Sequence, residues 1–164
     1  MKRIIVIGCP GSGKTTFAKR LAELTELPLY HLDAIWHKPD KTHIPREKFD
    51  GRIREIFKEK SWIIDGNYRR TIEMRVEAAD TVFLFDLPTK VCLEGALARV
   101  GVARADMPWR EEELDPTFKH QRESFAENTL PEIYEILGRY EGKREIIIFK
   151  TRDEAERFLE NIKN

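Results

Sequence analysis

The chain has little of what marks secreted, membrane-spanning or nucleic-acid-coating proteins. Only two of its 164 residues are cysteines, Cys9 and Cys92, and they show neither metal-binding nor redox spacing. No apolar run approaches the roughly 20 residues of a membrane-spanning helix, and no signal-peptide pattern is present. Lysine plus arginine equals aspartate plus glutamate, at 29 each, which disfavours a protein whose main role is to coat DNA. These absences favour a cytoplasmic globular protein with reduced thiols.

What the chain does contain is an alternation of apolar strands and amphipathic helices over residues 1–164, which predicts one α/β domain with a parallel sheet. Strands are expected at about 2–7, 27–32, 61–65, 81–86 and 144–149. Helices are expected at about 14–25, from 45 onwards, and at about 70–78, 90–100, 117–139 and 152–163. Pro39 and Pro45 predict an irregular segment over 34–45.

The first strand leads into Gly8-Cys9-Pro10-Gly11-Ser12-Gly13-Lys14-Thr15, which matches G-x-x-x-x-G-K-[ST], and a helix follows it. This strand–loop–helix context is that of a phosphate-binding loop, whose glycines let backbone N–H groups turn toward an anion. Lys14 would reach the outer phosphates and Thr15 would ligate Mg²⁺. The alternative is a glycine-rich turn without a ligand. The residues expected to bind the nucleotide are Gly8, Pro10, Gly11, Ser12, Gly13, Lys14, Thr15 and Thr16, the last as a helix residue rather than a second metal ligand.

Two aspartates end predicted strands, Asp65 after the third and Asp86 after the fourth. The carboxyl ends of parallel strands face the ligand crevice of an open α/β sheet. Either carboxylate could hold Mg²⁺ directly or through water, and Asp65 is the first choice. As alternatives, Asp65 is a turn residue before Gly66, and Asp86 starts the next helix.

Polar residues that follow Asp65 suggest a substrate-binding segment. Gly66 permits close backbone approach, Asn67 and Tyr68 offer hydrogen bonds, and arginine side chains suit phosphate. The alternative for each arginine is a solvated helix surface. The expected substrate-binding residues of this part of the chain are Gly66, Asn67, Tyr68, Arg69 and Arg75, with Arg70 beside them.

Asp33 and Trp36 follow the second predicted strand and are also expected to bind substrate. Asp33 could accept a proton from an acceptor hydroxyl, and Trp36 could stack on a ring or close the pocket. The alternative makes Asp33 a helix cap and Trp36 a core residue. A metal site formed by His31, Asp33 and His37 is disfavoured because no third strong ligand accompanies the histidines.

The polar, irregular segment at about 100–116 is the candidate lid. Arg99 and Arg104, and after them Arg110, could neutralise charge on a transferring phosphoryl group. A plain surface excursion with solvated arginines is the alternative.

These segments together resemble the adenylate-kinase-related P-loop kinases, and within them the bacterial DNA topology modulation proteins (FlaR-like). The resemblance lies in Gly8 to Thr15, in His31-Leu32-Asp33 with Trp36, in Trp62 to Arg69, and in Ala79 to Pro88. It implies a P-loop NTPase three-layer sandwich with a five-stranded parallel sheet of order 2-3-1-4-5. It also implies a substrate-binding region at about 31–60, a lid after strand four, and ATP with Mg²⁺.

Two departures qualify this resemblance. In nucleoside monophosphate kinases an Asp-Gly-Phe-Pro-Arg segment stands in the place of Asp65 to Arg69, with the aspartate serving the metal and the arginine holding the acceptor phosphate. Here Asn67-Tyr68 replaces Phe-Pro, which puts AMP in doubt as acceptor. Relatives often carry an arginine near the base where Gly95 stands, whereas Arg99 matches a later arginine of that helix.

The expected function is therefore ATP-dependent phosphoryl transfer to a small acceptor, with a nucleotide or nucleoside favoured. Lys14, Arg99, Arg104 and Asp33 are the expected catalytic residues, and Thr15 and Asp65 the expected metal ligands. The alternative is a nucleotide-binding regulatory module linked to DNA topology, with weak or no kinase activity. Direct nucleic-acid binding and a membrane partner are both disfavoured. The oligomeric state stays open.

Overall fold

Five parallel strands form the centre of the molecule. The computed structural model describes residues 1–98, Val100, Pro108, His120 and 123–164. Within them the strands are β1 (Arg3–Gly8), β2 (Leu29–His31), β3 (Trp62–Asp65), β4 (Thr81–Phe85) and β5 (Glu145–Phe149). Their order is β2-β3-β1-β4-β5, with parallel pairing throughout. The predicted fold class and strand order are confirmed.

Helices cover both faces of this sheet, as expected where parallel strands are linked by crossovers. They are α1 (Lys14–Thr25), α2 (Leu32–Trp36), α3 (Arg46–Phe57), α4 (Ile72–Ala78), α5 (Thr89–Ala98), α6 (Leu130–Arg139) and α7 (Arg152–Lys163). A 3₁₀ turn at Arg69–Thr71 precedes α4, and a π-helical turn at Phe125–Thr129 precedes α6. No helix of the described residues is long and apolar enough to cross a bilayer.

The core is apolar on both sides of the sheet because the central strands are buried on both faces. Ile4 to Ile7 of β1 have no exposed surface. On the α1 side, the Phe17 ring meets those of Phe83 and Phe149 edge-to-face, at centroid distances of 4.9 and 5.3 Å, an arrangement that aromatic pairs prefer. The central strands are therefore packed between apolar layers on both faces of the sheet.

The segment expected to be irregular at 34–45 differs from that expectation in its first part. The short helix α2 begins at Leu32, which is fully buried, and burial of this side chain helps to hold a helix too short to be stable alone. The N–H of His37 closes the helix on the Asp33 carbonyl at 3.0 Å. The chain then turns back, and Ile44 N–H bonds the Trp36 carbonyl at 3.0 Å.

The carboxyl ends of β1, β2 and β3 bring the predicted site residues together. In the register of the sheet, Val6 lies opposite Asp65, and His31 lies opposite Asp65 on the other side. Gly8 ends β1 opposite Phe85. The phosphate loop, the first aspartate after β2, and the loop after β3 therefore open at the same edge of the sheet.

Candidate functional site

The loop between β1 and α1 has the backbone that an anion cradle needs. Gly8, Gly11 and Gly13 have φ of 151°, 90° and 99°, in the region that L side chains rarely adopt. A Cβ on Gly11 would lie 2.0 Å from the Cys92 carbonyl oxygen, and one on Gly8 would lie 2.6 Å from the Phe85 carbonyl oxygen. Glycine is required at both positions by conformation and by space.

Helix α5 packs directly onto this loop at Gly95. A Cβ on Gly95 would lie 2.1 Å from the Gly11 carbonyl oxygen, so no side chain fits there without movement of the helix or the loop. Arg152, the first residue of α7, lies beside it and donates to the Gly11 carbonyl at 2.8 Å and to the Ser12 carbonyl at 3.4 Å.

Lys14 stands at the base of the cradle with its charge uncompensated by direct contact. Its residue is 8% exposed, and within the described residues its ammonium group has neither a hydrogen bond nor an ion pair. Lysine is rarely buried without a partner, so this position suits contact with an anion, and the Lys14 charge already lowers the pKa of nearby Asp65. A cavity of about 390 Å³ opens beside it, lined among others by Thr15, Thr16, Lys19, Arg152 and Glu156.

Asp65 links the loop to the neighbouring strands. Its Oδ2 accepts from the Thr15 hydroxyl at 2.8 Å and lies 2.9 Å from His31 Nδ1. Its Oδ1 is buried and has no hydrogen-bond partner. Burial alone would raise the pKa of this carboxyl, but the contacts with His31, the Lys14 charge and the Thr15 bond outweigh it and lower the pKa. The side chain is therefore a buried carboxylate with one unused oxygen.

This arrangement fits a Mg²⁺ ion. Mg²⁺ prefers carboxylate, hydroxyl and water oxygens, and it is often held through only one or two protein ligands. The unpartnered Oδ1 of Asp65 and the hydroxyl of Thr15 supply such oxygens next to the loop. A buried acceptor without a partner is costly, and a hydrated divalent cation would satisfy it. The predicted metal ligands thus lie in contact with each other.

The loop after β3 is held from below by Arg75, which the sequence predicts as a substrate-binding residue. Arg75 has no exposed surface and donates to the Gly66 carbonyl at 2.8 Å, to the Thr71 hydroxyl at 3.1 Å, and to the Asn67 carbonyl. Burial lowers the pKa of its guanidinium to about 9, although Asp65 and Tyr68 oppose the shift. It remains a cation at neutral pH, but it supports the loop and offers no surface to substrate.

Asn67 also differs from its predicted role, because its side chain is occupied by the phosphate loop. Its Oδ1 accepts from the Gly8 N–H at 2.9 Å, and its Nδ2 donates to the Gly8 carbonyl. Gly66, the other small residue of this segment, has φ of 140° and packs against Leu32, so that a Cβ there would lie 2.9 Å from the Leu32 Cβ. Both residues shape the site rather than line an open pocket.

Tyr68 joins this loop to Asp33. The phenol donates to Asp33 Oδ1 at 2.7 Å. Burial, then the Asp33 charge and this hydrogen bond, raise the pKa of Tyr68, so the phenol stays protonated. The Trp36 ring meets the rings of Phe49 and Tyr68 at 5.1 and 5.9 Å and stacks on His43 at 4.2 Å. Asp33, Trp36 and Tyr68 are therefore adjacent, with Trp36 packed into an aromatic cluster.

The exposed arginines of the segment already have acidic partners. Arg69 contacts Glu132 of α6, and Arg70 makes a two-pronged contact with Asp50 at 2.7 and 2.8 Å. Arg70 and its partner mutually favour their charged forms: the hydrogen bond to Arg70 lowers the pKa of Asp50. An acceptor phosphate would have to displace one of these carboxylates.

The sequence also raises Asp86 and the group His31, Asp33 and His37 as metal ligands, but neither forms a ligand cluster in the described residues. Asp86, the second choice after Asp65, contacts Lys150 and accepts from the Tyr134 hydroxyl at 2.6 Å, so it is satisfied by protein groups. The triad His31, Asp33 and His37 is not brought together as a site. Across residues 1–98, 123–164 and the three isolated described positions, no group of three or more His, Cys, Asp or Glu could hold a metal ion.

The predicted lid arginines Arg99, Arg104 and Arg110 lie outside the described residues, as does the 100–116 segment apart from Val100 and Pro108. A second cavity, of about 420 Å³, lies in the predicted 31–60 region and extends to Leu29. His31, Ile35, Ile44, Lys48 and Arg52 are among its lining residues. His31 thus contacts both this cavity and Asp65.

Comparison with solved structures finds proteins with the same fold. No protein-family model matches the chain, and no curated protein matches it significantly. One similar structure is a shikimate kinase from Acinetobacter baumannii in complex with shikimate. The alignment covers 99% of this chain and 93% of the shikimate kinase chain, with a TM-score of 0.61 and 17% sequence identity. Another is a gluconokinase from Sinorhizobium meliloti 1021. The alignment covers 98% of this chain and 89% of the gluconokinase chain, with a TM-score of 0.60 and 14% sequence identity. At these identities the likeness shows a shared fold.

Proposed function

We propose that this chain is an ATP-dependent kinase that transfers a phosphoryl group to a hydroxyl of a small acceptor. The observation that carries the proposal is the pairing of two unsatisfied groups at one loop. Lys14 is 8% exposed as a residue, and its ammonium group has no direct hydrogen bond or ion pair among the described residues, although its charge lowers the pKa of nearby Asp65. Next to the loop, the buried Asp65 Oδ1 lacks a partner. A triphosphate with Mg²⁺ supplies the anion for the first group and the cation for the second.

On the donor side, the loop would hold the β- and γ-phosphates with its backbone N–H groups, and Lys14 would neutralise charge on them. The positive end of α1, which begins at Lys14, adds to this field. Thr15 and Asp65 would hold Mg²⁺, which supplies charge neutralisation on the phosphate oxygens when it is bound. The cavity beside Thr16 and Arg152 has room for the remainder of the nucleotide.

On the acceptor side, Asp33 would be the base. The acceptor oxygen attacks the γ-phosphorus, the bond from that phosphorus to the β–γ bridging oxygen breaks, ADP leaves, and the hydroxyl proton passes to Asp33. One Asp33 oxygen is held by the Tyr68 phenol at 2.7 Å, which orients the carboxylate while the other oxygen accepts the proton. Catalysis of this kind relies on positioning and charge.

A hydroxyl acceptor is favoured over a phosphate acceptor because the arginines near the loop after β3 are engaged. Arg75 is buried, and Arg69 and Arg70 are paired with Glu132 and Asp50. The neighbours named shikimate kinase and gluconokinase make hydroxy acids the first acceptors to try. Nucleosides follow from the resemblance to adenylate-kinase-related proteins. The lid arginines Arg99 and Arg104 are proposed to stabilise the transferring group.

The test is a screen for acceptor-dependent ADP formation with ATP and Mg²⁺. The panel holds hydroxy acids, nucleosides, nucleoside monophosphates and neutral polyols. We expect at least one hydroxyl acceptor to stimulate ADP release and Lys14→Ala to lower that rate by about 10²–10³-fold. Lys60→Ala, at an exposed lysine before β3, is the matched control and should act as wild type.

Three results would contradict the proposal. Wild-type turnover in Lys14→Ala would remove the loop from the mechanism. Slow ATP hydrolysis that no acceptor stimulates would favour the regulatory nucleotide-binding module linked to DNA topology. Absence of ATP binding by folded protein, measured calorimetrically with Mg²⁺, would end both interpretations.

A further inference from the structure

We propose that Asn67 is a positioning residue that, together with Arg152, holds the phosphate loop in its binding shape from outside the cradle. This inference rests on the nucleotide-binding part of the proposed function and gives the two side chains a role that the loop motif does not include. Neither would need to touch the acceptor, and Asn67 would not need to touch the nucleotide.

The side-chain amide of Asn67 forms two hydrogen bonds with the backbone of one loop residue, Gly8. Its Oδ1 accepts from the Gly8 N–H at 2.9 Å, and its Nδ2 donates to the Gly8 carbonyl. The planar side-chain amide of Asn67 thereby fixes both the N–H and the carbonyl group of Gly8. Gly8 has φ of 151°, a conformation from which glycine can readily depart, and it is the last residue of β1, opposite Phe85, so the contacts with Asn67 add to the hold of the sheet at the point where the loop begins.

Asn67 is itself anchored, so the hold is rigid. The buried guanidinium of Arg75 donates to the carbonyls of Gly66 and Asn67. Tyr68 has a left-handed φ of 33° and is tied to Asp33 at 2.7 Å. A side chain can orient a loop only if its own backbone is over-determined, and these three contacts satisfy that condition.

Arg152 holds the other end of the loop in the same way. Its guanidinium donates to the Gly11 carbonyl at 2.8 Å and to the Ser12 carbonyl at 3.4 Å. The Ser12 N–H, which follows the Gly11 carbonyl, closes the loop on the Cys9 carbonyl at 3.0 Å. The Gly13 N–H, which follows the Ser12 carbonyl, is the donor that this hold would direct toward an anion, as in a backbone nest. Asn67 at Gly8 and Arg152 at Gly11 and Ser12 therefore pre-organise the cradle, which reduces the entropic cost of binding a triphosphate.

The experiment compares nucleotide affinity with acceptor KM in Asn67→Leu, which keeps a branched side chain of similar size and removes both hydrogen bonds. We expect MgATP to bind about tenfold more weakly, from two lost hydrogen bonds, while the acceptor KM stays within twofold. Amide hydrogen exchange over Gly11–Thr15 should accelerate in the nucleotide-free protein. Asn161→Leu, at an exposed position of α7, is the matched control.

Two substitutions at Arg152 separate the effect of its planar guanidinium group from the effect of its positive charge. Arg152→Lys keeps the cation but loses the planar fork, and Arg152→Met loses both. If Arg152 acts as a clamp, the two variants weaken MgATP binding to a similar degree, by about threefold to tenfold. Full rescue by lysine would show that only its charge matters and would overturn the clamp at this end.

The outcomes distinguish this inference from the proposed function. If wild-type protein does not bind MgATP, the proposed function fails first. If wild type binds and folded Asn67→Leu binds equally well, Asn67 is not a positioning residue. A raised acceptor KM with unchanged MgATP affinity would restore Asn67 to substrate binding and also overturn the inference. Should Asn67→Leu not fold, Asn67→Ser, which removes the amide without adding apolar bulk, is judged by the same measurements.

Discussion

The two sides of the candidate site differ in how many of their polar groups already have partners. On the donor side, which comprises the Gly8–Thr15 loop and Asp65, Lys14 lacks an anion among the described residues and Asp65 Oδ1 lacks any hydrogen bond. On the acceptor side, which comprises Asp33 and the Gly66–Arg70 segment, most polar groups are paired within the protein. Under the proposed function, the donor side would be preformed for its nucleotide, whereas the acceptor side would have to exchange partners when its ligand binds.

This difference has a physical origin in the backbone. The loop on the donor side presents N–H groups, which cannot rotate away to find other acceptors. The acceptor side presents long side chains, and a solvated arginine readily pairs with a nearby carboxylate at little net gain. A rigid donor site and an adaptable acceptor site allow one scaffold to keep its nucleotide chemistry while the acceptor changes.

The largest expected effect tests the one acceptor-side group with a chemical role. Asp33→Asn keeps the shape of the side chain and its capacity to accept from Tyr68, but it removes the base. We expect kcat for the hydroxyl acceptor to fall by about 10²–10⁴-fold, with MgATP affinity within twofold of wild type. Steady-state kinetics measures the change in kcat, and calorimetry measures the affinity for MgATP. Asp40→Asn is the control, since Asp40 is exposed and bonds only within its own turn. An unchanged kcat would point to an acceptor that needs no base, such as a phosphate.

The second prediction tests the unused oxygen on the donor side. Asp65→Asn replaces a buried carboxylate by a neutral amide, so the Mg²⁺ concentration for half-maximal activity should rise by about 10–100-fold. Asp86→Asn makes a matched control, because Asp86 also follows a strand but is satisfied by Lys150 and Tyr134. An equal shift in both variants would mean that Asp65 has no special relation to the metal. A Mg²⁺ titration of the rate measures this directly.

The third prediction tests how tightly the preformed loop is packed. Gly95→Ala places a methyl group where a Cβ would lie 2.1 Å from the Gly11 carbonyl oxygen, so α5 or the loop must move. We expect MgATP affinity to fall about tenfold and stability to drop by about 1–3 kcal/mol. Gly138→Ala in α6 is the control, because a Cβ there meets nothing within 4 Å. That change should be neutral or stabilising by up to about 1 kcal/mol. Calorimetry and thermal melts separate the two positions, and equal behaviour would contradict the close packing.

The sequence was sufficient to predict the loop between β1 and α1 because its signals are local. A glycine-rich motif between an apolar run and a helical pattern specifies both the loop and its place at the end of β1. The acceptor side depends on tertiary contacts that a motif does not encode. Whether Asn67 faces a substrate or the Gly8 peptide depends on how closely β1 and β3 end side by side, and that distance appears only in three dimensions.

For one residue the missing information was present in the sequence. Arg75 lies with Ile72 and Val76 at helical spacing, and all three are buried in α4. An arginine within a periodic apolar stripe indicates a buried guanidinium, and this pattern predicts a supporting role better than the arginine cluster predicts a phosphate site. For Gly95 the sequence showed a glycine within a helix, but its contact with the Gly11 carbonyl oxygen needed the position of α5.

The smallest expected effect tests partner exchange on the acceptor side. Glu132→Gln weakens the exposed ion pair with Arg69 and leaves Arg69 available to an anionic acceptor. Exposed pairs contribute less than about 1 kcal/mol, so we expect the KM of a hydroxy-acid acceptor to fall by no more than about fivefold, with no change for a neutral polyol. Glu135→Gln, which alters an exposed pair with Arg139 on the same helix, should change neither KM. If both acceptors responded alike, Arg69 would not meet the anion, and the engaged arginines would be part of the scaffold rather than a reserve for binding.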